Sequence, residues 1–235
     1  MSIGIYLGKN GNSKGLLRTD AYLCQDDYIN IIPNEGYPDF EMIDKINKNE
    51  EGYFNFSKKM IDIGSELGIF SLNTNFAYYY MFEGNKQKCI MCEANMLIRE
   101  KDNVYELHNV LLSDKQEMIK YDGFLTEYSC NNENIVYYNT KNEHLQSSNL
   151  LDNYDLNNVG FIKIDVEGME EKVLQGGIGT IIRNNYPPIL FELWDVGYFG
   201  MTQEKHNSLQ NFLESLGYEI IWHWGDFETH LAIHK

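Results

Sequence analysis

Residues 60–72, MIDIGSELGIFSL, decide how this chain folds. The run reads as a short buried strand, a tight glycine turn and the start of a helix. Asp62, Gly64 and Gly68 form the pattern D-x-G-x-x-x-G. Glycine at such a turn accepts φ > 0 and lets backbone approach a ligand closely. The spacing differs from G-x-G-x-x-G, which places a pyrophosphate on a helix N-terminus. Here an acid ends the strand and a second acid, Glu66, sits in the turn with Ser65. A pyrophosphate would be repelled by them. A nucleoside ligand with a cationic amino group and no phosphate, such as S-adenosylmethionine (SAM), is favoured. An ordinary strand-to-helix corner is the plainer alternative.

Outward from this turn, strands alternate with helices. Expected strands cover 59–63, 89–92 (ending at Glu93), 105–111, 160–164 (ending at Asp165) and 189–193 (containing Glu192). The segment 203–216 is an amphipathic helix: Leu209, Phe212, Leu213 and Leu216 follow the i, i+3, i+4, i+7 rule, and Gly217 stops it. Two closing strands at 218–222 and 229–234 flank a turn at Gly225-Asp226. The alternation implies a mainly parallel, doubly wound α/β sheet, and the closing pair implies an antiparallel edge. Residues 1–57 lack a strong period and read as an N-terminal arm packed over the cofactor mouth; 58–235 form the binding domain. A short helix is expected at 40–46. Gly8-Lys9-Asn10-Gly11 misses the phosphate-loop spacing and reads as a turn. The stretch 112–150 is polar, with short β-like runs such as 135–138.

The chain has 235 residues, 43% of them hydrophobic, so one domain can bury a full core. Its formal charge of −16 is spread along the chain rather than held in a tail. Such a field disfavours nucleic acid and anionic membrane surfaces, and favours neutral or cationic substrates, a neutral sugar being allowed. Cys89 and Cys92 form a C-x-x-C, but no second pair exists to complete a zinc site, so a structural role is expected. With no leader and no long apolar run, a cytoplasmic location is expected.

In a doubly wound sheet, ligands sit beyond the carboxyl ends of the strands where the strand order reverses. Asp62, Glu93, Asp165 and Glu192 are expected on that rim. A carboxylate offers two acceptor oxygens, which suits Glu93 to ribose hydroxyls. Asp165, Glu167 and Glu192 form an oxygen-rich set suited to Mg²⁺, with Asp165 and Glu192 as the expected ligands. His206, His223 and His230 are alternative bases, although a non-catalytic role is expected for each. The run WDVGYF at 194–199 either stacks on a sugar or joins the core.

Several of these pieces together resemble the FkbM-type methyltransferases, a branch of the SAM-dependent class I fold. They are IDIGSELGIFSL at 61–72, MCEAN at 91–95, HNVLLSDK at 108–115, IKIDVEGMEEKVLQGG at 162–177 and PPILFEL at 187–193. The 162–177 run is the most specific. The resemblance departs at Ser65-Glu66, where the family usually has Ala-Asn, and at Glu93-Ala94, where it usually has E-P. It implies a Rossmann-like seven-stranded sheet with an antiparallel C-terminal hairpin. It further implies SAM held by Asp62, Gly64, Ser65, Glu66, Gly68, Glu93, Leu111 and Asp165. The implied reaction is O-methylation, often of a sugar hydroxyl, with Asp165, Glu167 and Glu192 as the catalytic set. A non-sugar acceptor, a protein acceptor and a non-catalytic binding protein remain alternatives, as does an NAD oxidoreductase.

Overall fold

A computed structural model describes residues 2–7, 14–19, 39–98, 104–122, 128–129, 143–198, 200–226 and 228–235. The expected turn at Gly8–Gly11, the β-like run at 135–138, Cys24 and Cys130 lie outside the described residues.

The centre is a seven-stranded sheet. Its parallel strands are β3 (Lys59–Ile63), β4 (Tyr78–Glu83), β5 (Tyr105–Asn109), β10 (Val159–Ile164) and β11 (Ile189–Glu192). The closing hairpin is β12 (Tyr218–Ile221) and β13 (Thr229–His234), and β13 pairs antiparallel with β11. The spatial order is β12-β13-β11-β10-β3-β4-β5. The chain lays strands outward from β3 in one direction and then returns to β10 beside it. The switch point therefore lies between β3 and β10, which pair Ile61 with Ile162 and Ile63 with Ile164. The mainly parallel sheet and antiparallel edge expected from the alternation are present.

Outside this sheet, β1 (Ser2–Leu7) and β2 (Lys14–Thr19) form an antiparallel hairpin. A smaller sheet joins β6 (Leu111–Leu112), β7 (Met118–Asp122), β8 (Tyr128–Ser129) and β9 (Glu143–Asn149).

Both faces of the large sheet are covered, as parallel sheets require. Successive side chains point to opposite faces. Ile61, Ile63, Ile162 and Ile164 meet the helices α4 (Glu170–Gln175), α5 (Ile178–Arg183) and α6 (Gln203–Ser215) through Val173, Leu174, Ile181, Leu209 and Leu213. Met60, Phe161, Leu190 and Leu231 meet α1 (Asp39–Lys48), α2 (Ile69–Asn73) and α3 (Lys86–Ile98) through Met42, Ile43, Ile46, Phe70, Leu72, Cys92 and Met96. Phe161 stacks on Phe76 at 5.4 Å and meets Phe54 edge-on at 5.0 Å. Helix α1 is thus seated in the same apolar layer as the sheet.

One expected element is overturned. Residues 89–92 are not the second strand: they lie in α3, and the second strand is β4. The burial pattern shows why. Cys89, Cys92 and Met96 are buried while Ile90, Glu93 and Leu97 are exposed, a helical period of three to four. The real strand, YYYMFE, is buried at nearly every position and shows no alternation to read. No helix among the described residues is long and apolar enough to cross a membrane.

Candidate active site

The glycine turn after β3 is built around one close approach. Gly64 has φ 71°, and a Cβ there would lie 1.8 Å from the carbonyl oxygen of Asp165. Only glycine allows the ends of β3 and β10 to come this near. The Gly64 and Ser65 amides both donate to Phe82 O, at 2.9 and 3.1 Å, which ties the turn to β4. Gly68 has φ 79°, and a Cβ on it would meet Cys92 Sγ at 2.9 Å. Cys92 therefore packs behind the turn, the structural role expected of it.

Asp62 ends β3 beneath the turn and is 1% exposed. Its Oδ2 accepts from Ser71 Oγ at 2.6 Å, while Oδ1 has no hydrogen-bond partner among the described residues. Burial pushes this carboxyl up, opposed by the Lys163 ammonium and the Ser71 hydroxyl. Glu66 sits in the turn at φ 50° and pairs with Lys88 Nζ at 3.2 Å. The charge that replaces the usual amide is thus neutralised by the first turns of α3.

The acid at the end of the second strand is Glu83, not Glu93. Glu93 lies exposed on α3, so its expected place on the rim is overturned. Glu83 is buried, and its two oxygens accept from the amides of Glu66 at 2.9 Å and Asn85 at 2.6 Å. Burial raises its pKa, with Lys88 and the two amides opposing. Leu111 is buried in β6, paired with Ser148, and does not line the pocket described next.

Beyond the ends of β10, β11 and β13 a pocket opens over Phe70 and Leu190. Its walls carry Asp39, Asp165, Glu192, Asp226 and Glu228, with Lys163 as its lysine. Three of these acids come from two places far apart in sequence: Asp39 is the first residue of α1, and Asp226 and Glu228 lie in the connection between β12 and β13. Burial, reinforced by Asp165 and Glu66, raises the Asp39 carboxyl to about 7 despite Lys163. Burial raises Glu192 to about 9, with Asp165, Glu167 and Glu170 adding repulsion. Glu192 Oε2 is enclosed with no hydrogen-bond partner among the described residues. Asp165 Oδ2 lies 3.4 Å from Lys163 Nζ.

Glu167 stands exposed at φ 57° in the turn after Asp165 and does not line the pocket. Glu170 caps that turn instead, accepting from the Val166 and Gly168 amides at 3.1 Å each. Burial raises its carboxyl to about 7 against those bonds. Asp165, Glu167 and Glu192 therefore do not converge as a ligand set. Among the described residues no group of three or more His, Cys, Asp or Glu side chains is arranged to hold a metal ion. The expectation of Mg²⁺ has no support here.

The histidines also stand apart from the pocket. His223 is in a turn at φ 53°, not on a strand, and its amide donates to His230 Nδ1 at 2.9 Å. His230 is buried, which lowers it to about 4. His206 stacks on Trp222 at 5.6 Å. In the 194–199 run, Trp194 is buried in the core and Tyr198 is exposed.

The residues present suit a SAM-like ligand. A glycine cradle backs the turn, a buried carboxylate oxygen lacks a partner, and an acid ends each of the first two strands. Lys163, Glu83, Asp39, Asp226 and Glu228 were not singled out by spacing. Only the placement of β4 would have revealed Glu83 from sequence.

A family model, the methyltransferase FkbM domain, matches residues 62–220. Among solved structures, the FkbM methyltransferase of Methylobacillus flagellatus KT is similar, with a TM-score of 0.53 and 19% identity. That match covers 91% of this chain and 55% of the other, so this chain spans little more than half the length of that relative. A putative caffeoyl-CoA O-methyltransferase from Staphylococcus aureus matches with a TM-score of 0.54 and 11% identity, covering 88% of each chain. At these identities the likeness shows the fold. No curated protein matches the chain. The family match spans well over half of the sequence, and the chain belongs to the FkbM methyltransferase family.

Proposed function

We propose that this methyltransferase uses SAM and transfers the methyl group to a hydroxyl oxygen of an uncharged or cationic acceptor, a sugar of a glycan or glycoconjugate. The observation that carries the reading is the Gly64–Asp165 approach at the switch point. It sets a cofactor floor on β3 and β4 directly against an acid-lined pocket on β10 and β11.

Asp62, Gly64, Ser65, Gly68 and Glu83 would hold the cofactor; Glu83 takes the ribose role first assigned to Glu93. Bound SAM supplies an electrophilic methyl group on a sulfonium sulfur. The protein's own task is to orient a hydroxyl and accept its proton. Asp165 is the proton acceptor in this reading, because its carboxylate faces the pocket beside the cofactor turn. Glu192, raised to about 9, carries a proton at neutral pH and donates a hydrogen bond to the acceptor. Asp39 and Met42 of α1 line the pocket, which supports a capping role for this part of the chain over the active site.

Five carboxyl groups around one lysine disfavour an anionic acceptor. A panel of neutral sugars, amino sugars and uronic acids, incubated with methyl-labelled SAM, tests the proposal. Label is expected on hydroxyls of neutral or amino sugars and absent from uronic acids. Label confined to nitrogen, to a non-sugar metabolite or to protein would replace the sugar reading.

A further inference from the structure

We infer that Lys163 is a positioning residue for the cofactor floor, holding the Asp62 carboxylate and the Gly64 carbonyl in the arrangement that receives SAM. The inference rests on the reading of Asp62 given above. Lys163 lies on β10, one strand away from the residues it serves, and is 6% exposed. Its Nζ donates to Gly64 O at 2.9 Å. The same nitrogen lies 3.8 Å from Asp62 Oδ1 and 3.4 Å from Asp165 Oδ2. An ammonium has three donors and no acceptor, so one group can serve a carbonyl and two carboxylates at once.

The arrangement joins both sides of the switch point. The Gly64 amide is held by Phe82 O and the Gly64 carbonyl by Lys163, so both peptide groups flanking the glycine are anchored. Asp62 Oδ1, which lacks a hydrogen bond, has this ammonium as its nearest countercharge. Burial alone would lower the Lys163 ammonium, but Asp165, Asp62, Asp39 and Glu66 outweigh it and hold it above the usual lysine range. Lys163 is therefore a fixed cation and no proton acceptor.

A space-filling role would not need the charge. Lys163 sits against Phe70, 5.2 Å from its ring centroid, and Phe161 and Met60 on the same sheet face are apolar. Burying an ammonium is costly unless partners offset it. An apolar side chain of similar length would pack there without that cost.

The test is titration with S-adenosylhomocysteine from pH 5 to 9, using wild type, Asp62→Asn, Lys163→Met and the double variant, each checked for folding by thermal melt. Asp62 is faced by Lys163 from β10, Asp165 just beyond it, Ser71 from α2, Cys92 from α3 and Tyr79 from β4. Of these, the ammonium is the group the variant removes. Lys163→Met is expected to bind at least tenfold more weakly at pH 7. The pH below which affinity falls should move upward by one unit or more. The double variant should lose less than the product of the two single losses, because part of what Lys163 does passes through Asp62 and the rest through the Gly64 carbonyl.

The inference is overturned by Lys163→Met binding within twofold of wild type, by losses that multiply in the double variant, or by an unmoved acid limb. A space-filling lysine would lower affinity evenly across pH. If Lys163→Met fails to fold, Lys163→Gln, which removes the charge and keeps an amide donor for Gly64 O, takes its place; an upward-moved acid limb supports the inference and an unmoved one overturns it. Equal binding by wild type and Asp62→Asn would instead defeat the cofactor-site reading itself.

Discussion

The two halves of the site differ in how completely their polar groups are satisfied. Around the glycine turn most groups are paired: Gly64 and Ser65 with Phe82, Glu66 with Lys88, Glu83 with two amides and Asp62 Oδ2 with Ser71, while Asp62 Oδ1 has only the Lys163 ammonium, 3.8 Å away. Around the pocket beyond β10 and β11 the carboxyls outnumber the cations, and Glu192 Oε2 is enclosed with no partner. In the proposed function the first half serves as the floor for the cofactor. The second is electrostatically strained, and a bound acceptor would relieve it. Buried polar networks rigidify when every member is satisfied and become costly when some are not.

The largest effect that would break this contrast is at Gly64. Gly64→Ala forces a methyl group onto the Asp165 carbonyl at positive φ. It should cost about 3 kcal/mol or more in urea unfolding. Gly197→Ala, also at positive φ but with nothing within 4 Å, should cost only about 1 kcal/mol. Equal costs would mean the close approach does not organise the site.

Next is the division of labour between the halves. Asp165→Asn should keep S-adenosylhomocysteine affinity while turnover falls by about 10²–10⁴-fold, the usual span for losing a general base. Turnover at the wild-type rate would remove Asp165 from the chemistry. A smaller effect separates the two acids near the second strand. Glu83→Gln should weaken cofactor binding about tenfold, while Glu93→Ala on the exposed face of α3 should leave it unchanged. The reverse ranking in a titration would restore Glu93 to the rim.

The smallest effect is on pH-dependent stability. Asp39, Glu170 and Glu192 are raised to about 7, 7 and 9. Their folded forms keep protons that the unfolded chain has already released. Their contribution is therefore full below the unfolded carboxyl pKa and is lost as pH rises through the folded values. His230, lowered to about 4, acts oppositely but only between that value and its ordinary 6.5. Asp62 and Glu83, also raised by burial, act in the same direction, so the Glu192 share is read from the difference between wild type and variant. The melting temperature should fall between about pH 7 and 9, and Glu192→Gln should flatten the fall. An identical slope in the variant would show that Glu192 is not the strained acid.

Much of the fold was legible because local signals agreed. The glycine turn after β3, the Asp165 turn after β10, the amphipathic α6 and the final hairpin each announce themselves over a few residues. The exchange of β4 for part of α3 arose where two signals failed together. YYYMFE is buried on both faces and lacks alternation, and KCIMC resembles a strand until Met96 and Leu97 complete the helical period. Asp62, Asp165 and Glu192 could be placed on the rim because each ends a strand. Lys163 hides inside a strand. Asp39, Asp226 and Glu228 come together only through tertiary packing, which no local spacing encodes.

The central claim is that the turn joining β3 to α2 is a SAM site held by buried Asp62. Calorimetric titration of S-adenosylhomocysteine into wild type and Asp62→Asn addresses it most directly. The account predicts saturable one-to-one binding by the wild type and at least a tenfold loss in the folded variant. No binding by the wild type, or equal affinities in the two proteins, would contradict it.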